Sequence, residues 1–213
     1  MPSTELLTTD DLDKIGCSFR DQPFEVAAEL VDAVDRGLVA DPADTGYALM
    51  LAAEFTERAG DLQAAEVLAA RAVEAYRVHD EPGGYAQAFH AELLLRLGRE
   101  DEGMAELTAL RPLLSEDADA VSYISEALEA GGRPEIAEQW LTAALHTALQ
   151  RRQVLDSRRG EPAYEQATAL VSGLAQNRHR VRRDLGLLRD EHDYLAEVLR
   201  DELLEALGID KLD

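Results

Sequence analysis

A chain of 213 residues can bury a substantial core, and a composition rich in Ala, Leu, Glu and Arg, with only 5% aromatics, favours helix over sheet. Its 21 basic and 43 acidic side chains give a net charge of −22, which repels nucleic acid and anionic membrane and favours association with basic surfaces. The lone cysteine, Cys17, excludes an intrachain disulfide framework and a cysteine-rich zinc site.

In chain order, Met1 to Asp10 is polar and acidic and is expected to fray. It lacks the charged-then-apolar pattern of a leader, and no apolar run approaches the length of a membrane span, so a cytoplasmic protein off the membrane is expected. Phe24 to Arg36 places Val26, Leu30, Val31 and Val34 on one helical face and stops before Gly37. It reads as the second helix of a degenerate first repeat spanning about residues 8–43.

Three glycines then stand between helical stretches: Gly60, Gly98 and Gly132, spaced by 38 and 34 residues. A glycine can take positive φ at a helix end without steric cost, so each is expected to turn the chain between two antiparallel helices. Seven residues before the glycines stand Ala53, Ala91 and Ser125; five after stand Ala65, Gly103 and Ala137. Nine and twelve after come Ala69 and Ala72, Leu107 and Leu110, Leu141 and Ala144, which gives each second helix an apolar seam. The loop Glu81-Pro82-Gly83-Gly84 accounts for the longer first spacing. Beyond the hairpins, Ala163 to Val181 and Asp190 to Leu207 read as closing helices.

Small residues flanking a turn glycine at a period near 34 resemble the tetratricopeptide repeat, over about Asp44 to Gln150. The runs LRLGREDEGMAEL, AGGRPEIAEQWL and RVRRDLGL look like actinobacterial tetratricopeptide proteins, some of which are labelled for a cysteine-cluster zinc motif; with Cys17 alone, no metal function carries over. The resemblance implies an all-α fold, an α-solenoid of stacked antiparallel hairpins. A single helical-repeat domain over 1–213 is expected, with hairpins at 44–150 and caps at 151–213.

The chain shows no glycine-rich phosphate loop, no His-Glu-x-x-His and no Gly-x-Ser-x-Gly elbow. Its five histidines are dispersed: His90 reads as a packing or surface residue, and His192 shares Glu191-His192-Asp193 with neighbours that point about 100° apart on a helix. Trp140 reads as core filler and Cys17 as a small hydrophobe. No catalytic residue, cofactor or metal is expected, and the chain reads as a non-enzymatic protein.

In the tetratricopeptide family the first helix of each hairpin lines a concave groove, and the sites thirteen, ten, six and three before each turn glycine form one helical stripe. They read Tyr47, Met50, Glu54, Glu57; Tyr85, Ala88, Glu92, Leu95; and Asp119, Ser122, Glu126, Glu129. Glu54, Glu92 and Glu126 make an acidic ladder, with Leu51, Phe89 and Tyr123 as an adjoining, partly aromatic strip. Tyr47, Glu54, Glu57, Tyr85, Phe89, Glu92, Tyr123, Glu126 and Glu129 are therefore the candidate partner-binding residues, suited to a protein or peptide segment carrying Lys or Arg. A chain this acidic also places carboxylates in register by chance, and the stripe then reads as solvated surface.

Only residues 151–190 are basic, with 9 Lys/Arg against 5 Asp/Glu. Arg151, Arg152, Arg158, Arg159, Arg178, Arg180, Arg182 and Arg183 offer either a nucleic-acid contact or pairing with acidic helices, in cis or across a homodimer. The rivals to an adaptor are thus a regulatory nucleic-acid-associated protein using 151–183 and a self-assembling structural protein.

Overall fold

The computed structural model describes residues 6–17 and 22–206, with side chains as far as Val198. Helices follow in the order α1 (Thr9–Gly16), α2 (Pro23–Asp35), α3 (Thr45–Arg58), α4 (Leu62–Val78), α5 (Gly84–Arg96), α6 (Glu100–Leu110), α7 (Ala118–Ala130), α8 (Pro134–Val154), α9 (Pro162–Asp184) and α10 (Glu191–Ala206). The described residues form no strand beyond a lone bridge between Leu7 and Val39. None of the described helices is long and apolar enough to cross a membrane. Fraying was expected from Met1 to Asp10, but Leu7 exchanges backbone hydrogen bonds with Leu38 and Ala40, and Thr8 caps α1 from Thr9 onward, so local pairing and capping hold Leu7 to Asp10 in place. Met1 to Glu5 lies outside the described residues, as does Leu207 at the end of the closing helix.

Contacts group the chain into two compact units, Met1–Glu106 and Leu107–Asp213, with the division inside α6. Each hairpin turn is closed by the same local chemistry. Gly60, Gly98 and Gly132 have φ of 91°, 79° and 75°. At each, the glycine N–H and the next N–H donate back into the last helical turn: Gly60 to Glu57 O and Asp61 to Thr56 O, Gly98 to Leu95 O and Arg99 to Leu94 O, Gly132 to Glu129 O and Arg133 to Leu128 O. This reciprocal pair satisfies carbonyls that a helix end otherwise leaves open, and it fixes the exit direction of the chain. Asp80 performs the same closure at the end of α4 with φ 55°, without a glycine to announce it. Pro112 ends α6: it lies in a 3-10 turn, Arg111–Ser115, directly after that helix.

Helix starts are equally local. Thr8 and Asp11 exchange hydrogen bonds as a capping box for α1, Asp61 caps α4 through Ala64 N, and Pro134 and Pro162 open α8 and α9.

In the first unit α3 is the axis. Ala48, Leu51, Ala52 and Phe55 pack with Leu12, Val26, Ala27 and Leu30; Leu49 and Met50 meet Ala72 and Ala86; Ala53 meets Ala65, Ala69 and Leu93. Nearly every side of this helix is apolar or small, as its burial demands. The small residues at matched offsets all lie inside: Ala53, Ala91, Ala65 and Ala137 are fully enclosed and Ser125 nearly so. At Gly103 a Cβ would come within 2.8 Å of Ala91 O and 2.9 Å of Leu95 Cγ, so α5 and α6 approach closely enough there to require glycine. In the second unit α9 packs along α7, α8 and α10 and buries Leu170, Val171, Leu174 and Val181.

Because Ala137 is fully enclosed, Ala137→Leu is expected to overpack α8 and lower the unfolding free energy by about 1–3 kcal/mol in urea titration. The same change at exposed Ala143 is expected to stay within about 0.5 kcal/mol. Equal midpoints for the two variants would remove Ala137 from a helix–helix contact.

Candidate functional site

The stripe residues of the first unit are drawn together by polar contacts between α3 and α5. Tyr85 Oη donates to Glu54 Oε1 at 2.7 Å, and one Arg96 nitrogen, Nη1, donates to both Glu57 Oε1 and Glu92 Oε1 at 2.8 Å. Glu54, Glu57, Tyr85, Glu92 and Arg96 thereby form one polar face across two helices, three carboxylates to one guanidinium. Met50 and Ala88, on the same stripe, are buried, so the face is made by the longer side chains on either side of them.

Tyr47 and Phe89 behave differently from that group. Tyr47 Oη donates to Asp13 Oδ1 of α1 at 3.0 Å; burial, and then the Asp13 hydrogen bond and charge, push the phenol up to about 12. Phe89 packs against both of the core clusters that hold Ala72 and Ala69. Arg96 was missed from the sequence, although Glu92 and Arg96 stand at i and i+4 in the orientation that favours pairing.

Tyr123, Glu126 and Glu129 stand on α7 of the second unit. Glu126 is exposed. Tyr123 is half-buried, and burial, with Asp117 and Asp119 nearby, raises its phenol above the ordinary value. Glu129 receives Arg180 Nη1 of α9 on Oε2 at 2.8 Å.

The arginine segment is engaged inside the second unit. Arg178, 3% exposed, donates through Nε to Thr142 at 2.7 Å, through Nη2 to Asp190 at 2.6 Å and through Nη1 to Asp193 at 3.2 Å; Asp193 is itself 1% exposed. Arg182 reaches Asp193 at 3.2 Å and Glu138 at 2.8 Å. Asp190 and Asp193 also accept each other's backbone N–H groups, a reciprocal cap at the start of α10. Arg178, through its hydrogen bond and charge, holds the Asp190 carboxyl far below the usual range, against an opposing effect of burial. Arg158 pairs with Glu161, Arg159 with Asp156 and Arg183 with Asp184, while Arg152 donates to Thr168 and Tyr164 hydroxyls.

His146 and His192 bring their rings to 5.1 Å, tilted, beside Arg178 and Asp190 in an open cleft. Among the described residues no group of three or more His, Cys, Asp or Glu is arranged to hold a metal ion. Trp140 lies under the Arg111 guanidinium at 5.1 Å, and Cys17 is exposed. No family model matches the chain, and neither a curated protein nor a solved structure matches it.

Removing one partner of a buried ion pair strands the other, which costs about 3–5 kcal/mol. Arg178→Met is therefore expected to destabilise the packing of α9 on α10 by that amount in urea titration. Asp190, whose folded pKa is depressed, contributes stability that is present above the ordinary carboxylate pKa and is lost as pH falls through the folded value. A loss below about 1 kcal/mol for Arg178→Met would mean that Arg182 alone can hold Asp193.

Proposed function

We propose that the chain is a cytoplasmic, non-enzymatic scaffold of tetratricopeptide type, whose hairpins stack as an α-solenoid and whose α3/α5 face takes a basic segment of a partner protein. The recurrent closure at Gly60, Gly98 and Gly132, with small enclosed residues at matched offsets, supports the repeat reading. One observation carries the binding reading: Arg96 Nη1 already sits between Glu57 and Glu92 at 2.8 Å from each. The carboxylates are thus spaced to share one guanidinium, and an arginine or lysine from a partner would make the same charge-assisted contacts in exchange. Tyr85, held by Glu54 and half-exposed, supplies a ring at the edge of this face for a cation to lie on. Nothing in the placement of Arg178, Arg180 and Arg182, each paired in cis, favours nucleic acid as the ligand.

The reading is tested by fluorescence anisotropy with a labelled amphipathic peptide bearing Arg and Lys. Changing Glu54 and Glu92 together to Gln is expected to weaken binding and flatten its salt dependence; each ion pair at a solvated surface contributes about 0–1 kcal/mol, up to about fivefold in affinity. Glu126→Gln alone tests α7 of the second unit by itself. Arg96→Ala is expected to act in the opposite sense, strengthening binding by removing the internal competitor. Unaltered affinity and salt slope in all three, with helicity intact, would reduce the face to solvated surface.

A further inference from the structure

His90 of α5 is 9% exposed, and both of its ring nitrogens face carboxylates. Nε2 lies 3.2 Å from Glu66 Oε1 of α4, and Nδ1 lies 3.0 Å from both oxygens of Glu106 on α6. Ionised carboxylates only accept hydrogen bonds, so this arrangement is satisfied when both nitrogens carry protons. Around the ring, Arg99 Nη1 donates to Glu66 Oε1 at 2.8 Å while its other two nitrogens grip Glu102, and Gln63 Nε2 donates to Glu66 Oε2 at 3.3 Å. The facing charged groups are therefore Glu66 from α4, Arg99 from the turn, and Glu102 and Glu106 from α6.

We propose that this cluster is a proton-dependent clamp in which imidazolium His90 ties α4 and the first part of α6 to α5, and proton loss releases Glu106 and loosens α6. A neutral imidazole donates from one nitrogen only and turns a lone pair toward the other carboxylate. Glu66 is 7% exposed and keeps Arg99 and Gln63 as donors, so it stays in place. Glu106, with 28% of its side chain exposed, can turn to water and is the contact that gives way.

Burial disfavours the charged ring, but the hydrogen bonds and charges of Glu106 and Glu66 outweigh it and raise the pKa above the ordinary 6.5. A raised folded pKa means stability that is complete below the unfolded value and is lost as pH rises through the folded one. The clamp is therefore closed in mild acid and opens on the alkaline side of 6.5. Near that value a small change in proton concentration alters how firmly the three helices are joined.

The test follows the His90 ring and the α6 backbone amides by NMR on the full chain as pH is raised. Expected are a His90 pKa above 6.5, protons on both ring nitrogens below it, and hydrogen-exchange protection over residues 100–106, corrected for intrinsic rates, that falls through the same pH. The fall is tenfold for each unit by which the folded pKa exceeds the unfolded one. Glu106→Gln, which preserves shape, is expected to lower the His90 pKa and to shrink that step, and His90→Gln to abolish it. A His90 pKa at or below 6.5 in the unsubstituted chain overturns the clamp. So does a protection profile that Glu106→Gln leaves unchanged, and neither result depends on whether His90→Gln folds.

Discussion

The first unit depends on the burial of α3 by helices on several sides. Ala48, Leu51, Ala52 and Phe55 face α1 and α2, while Leu49, Met50 and Ala53 face α4 and α5. A helix enclosed in this way has no face left for charges except at its ends and along one narrow edge, and Glu54 and Glu57 occupy that edge. Close approach of several helices to one requires short side chains at the crossings, which is why Ala53, Ala65 and Ala69 carry no exposed surface. The polar face between α3 and α5 thus follows from the packing: the carboxylates stand where the two helices come near each other but not near enough to exclude water.

The same economy of position governs the buried charges. Apart from Lys14 and Lys211 every basic residue of the chain is arginine. The planar fork of arginine serves several acceptors at once, as Arg178 does with Thr142, Asp190 and Asp193, and Arg96 with Glu57 and Glu92. A lysine in place of Arg178 would leave acceptors unmatched, because Thr142, Asp190 and Asp193 are each met by a different nitrogen of the fork. Such networks tie elements distant in sequence, α8 to α9 and α10 in the second unit, α4 to α5 and α6 around His90. Stability is a lesser part of their effect than geometry, because burying the charges offsets much of their attraction.

Local rules made the hairpins legible. Positive φ at Gly60, Gly98 and Gly132 is a property of the residue, and small residues at fixed distances from a turn must meet if the two helices are antiparallel. The closing helices were legible in outline, as the caps a repeat array needs, but the end of α9 was not: the helix runs from Pro162 to Asp184 rather than from Ala163 to Val181, and Gly186 closes it at φ 69°. Asp80 escaped because aspartate is only an occasional left-handed residue, and its role shows in the backbone rather than in the letter. The polar site was legible in part. Equal offsets pointed to Glu54 and Glu92, yet the aromatic offset swept in Phe89, which the core takes up. The partners of His90 lie 24 residues before it and 16 after, at distances that no helical period encodes.

With net charge −22, the surface retains a large excess of carboxylates once the arginines are paired. Fields from exposed charges are screened over about 8 Å at physiological ionic strength, so this excess raises the rate of encounter with basic molecules without distinguishing among them. On the proposed reading, discrimination among basic ligands has to come from groups whose positions are fixed, and in the first unit the carboxylates bonded to Tyr85 and Arg96 are such groups. An anchored carboxylate loses less freedom when a ligand engages it than one swinging in solvent, and it offers its remaining lone pairs at a defined place. On that reading, the Tyr85 bond holds Glu54 in place while a ligand engages the α3/α5 face, whereas Arg96 competes for Glu57 and Glu92, and a ligand able to displace it meets two acceptors at the spacing of a single guanidinium.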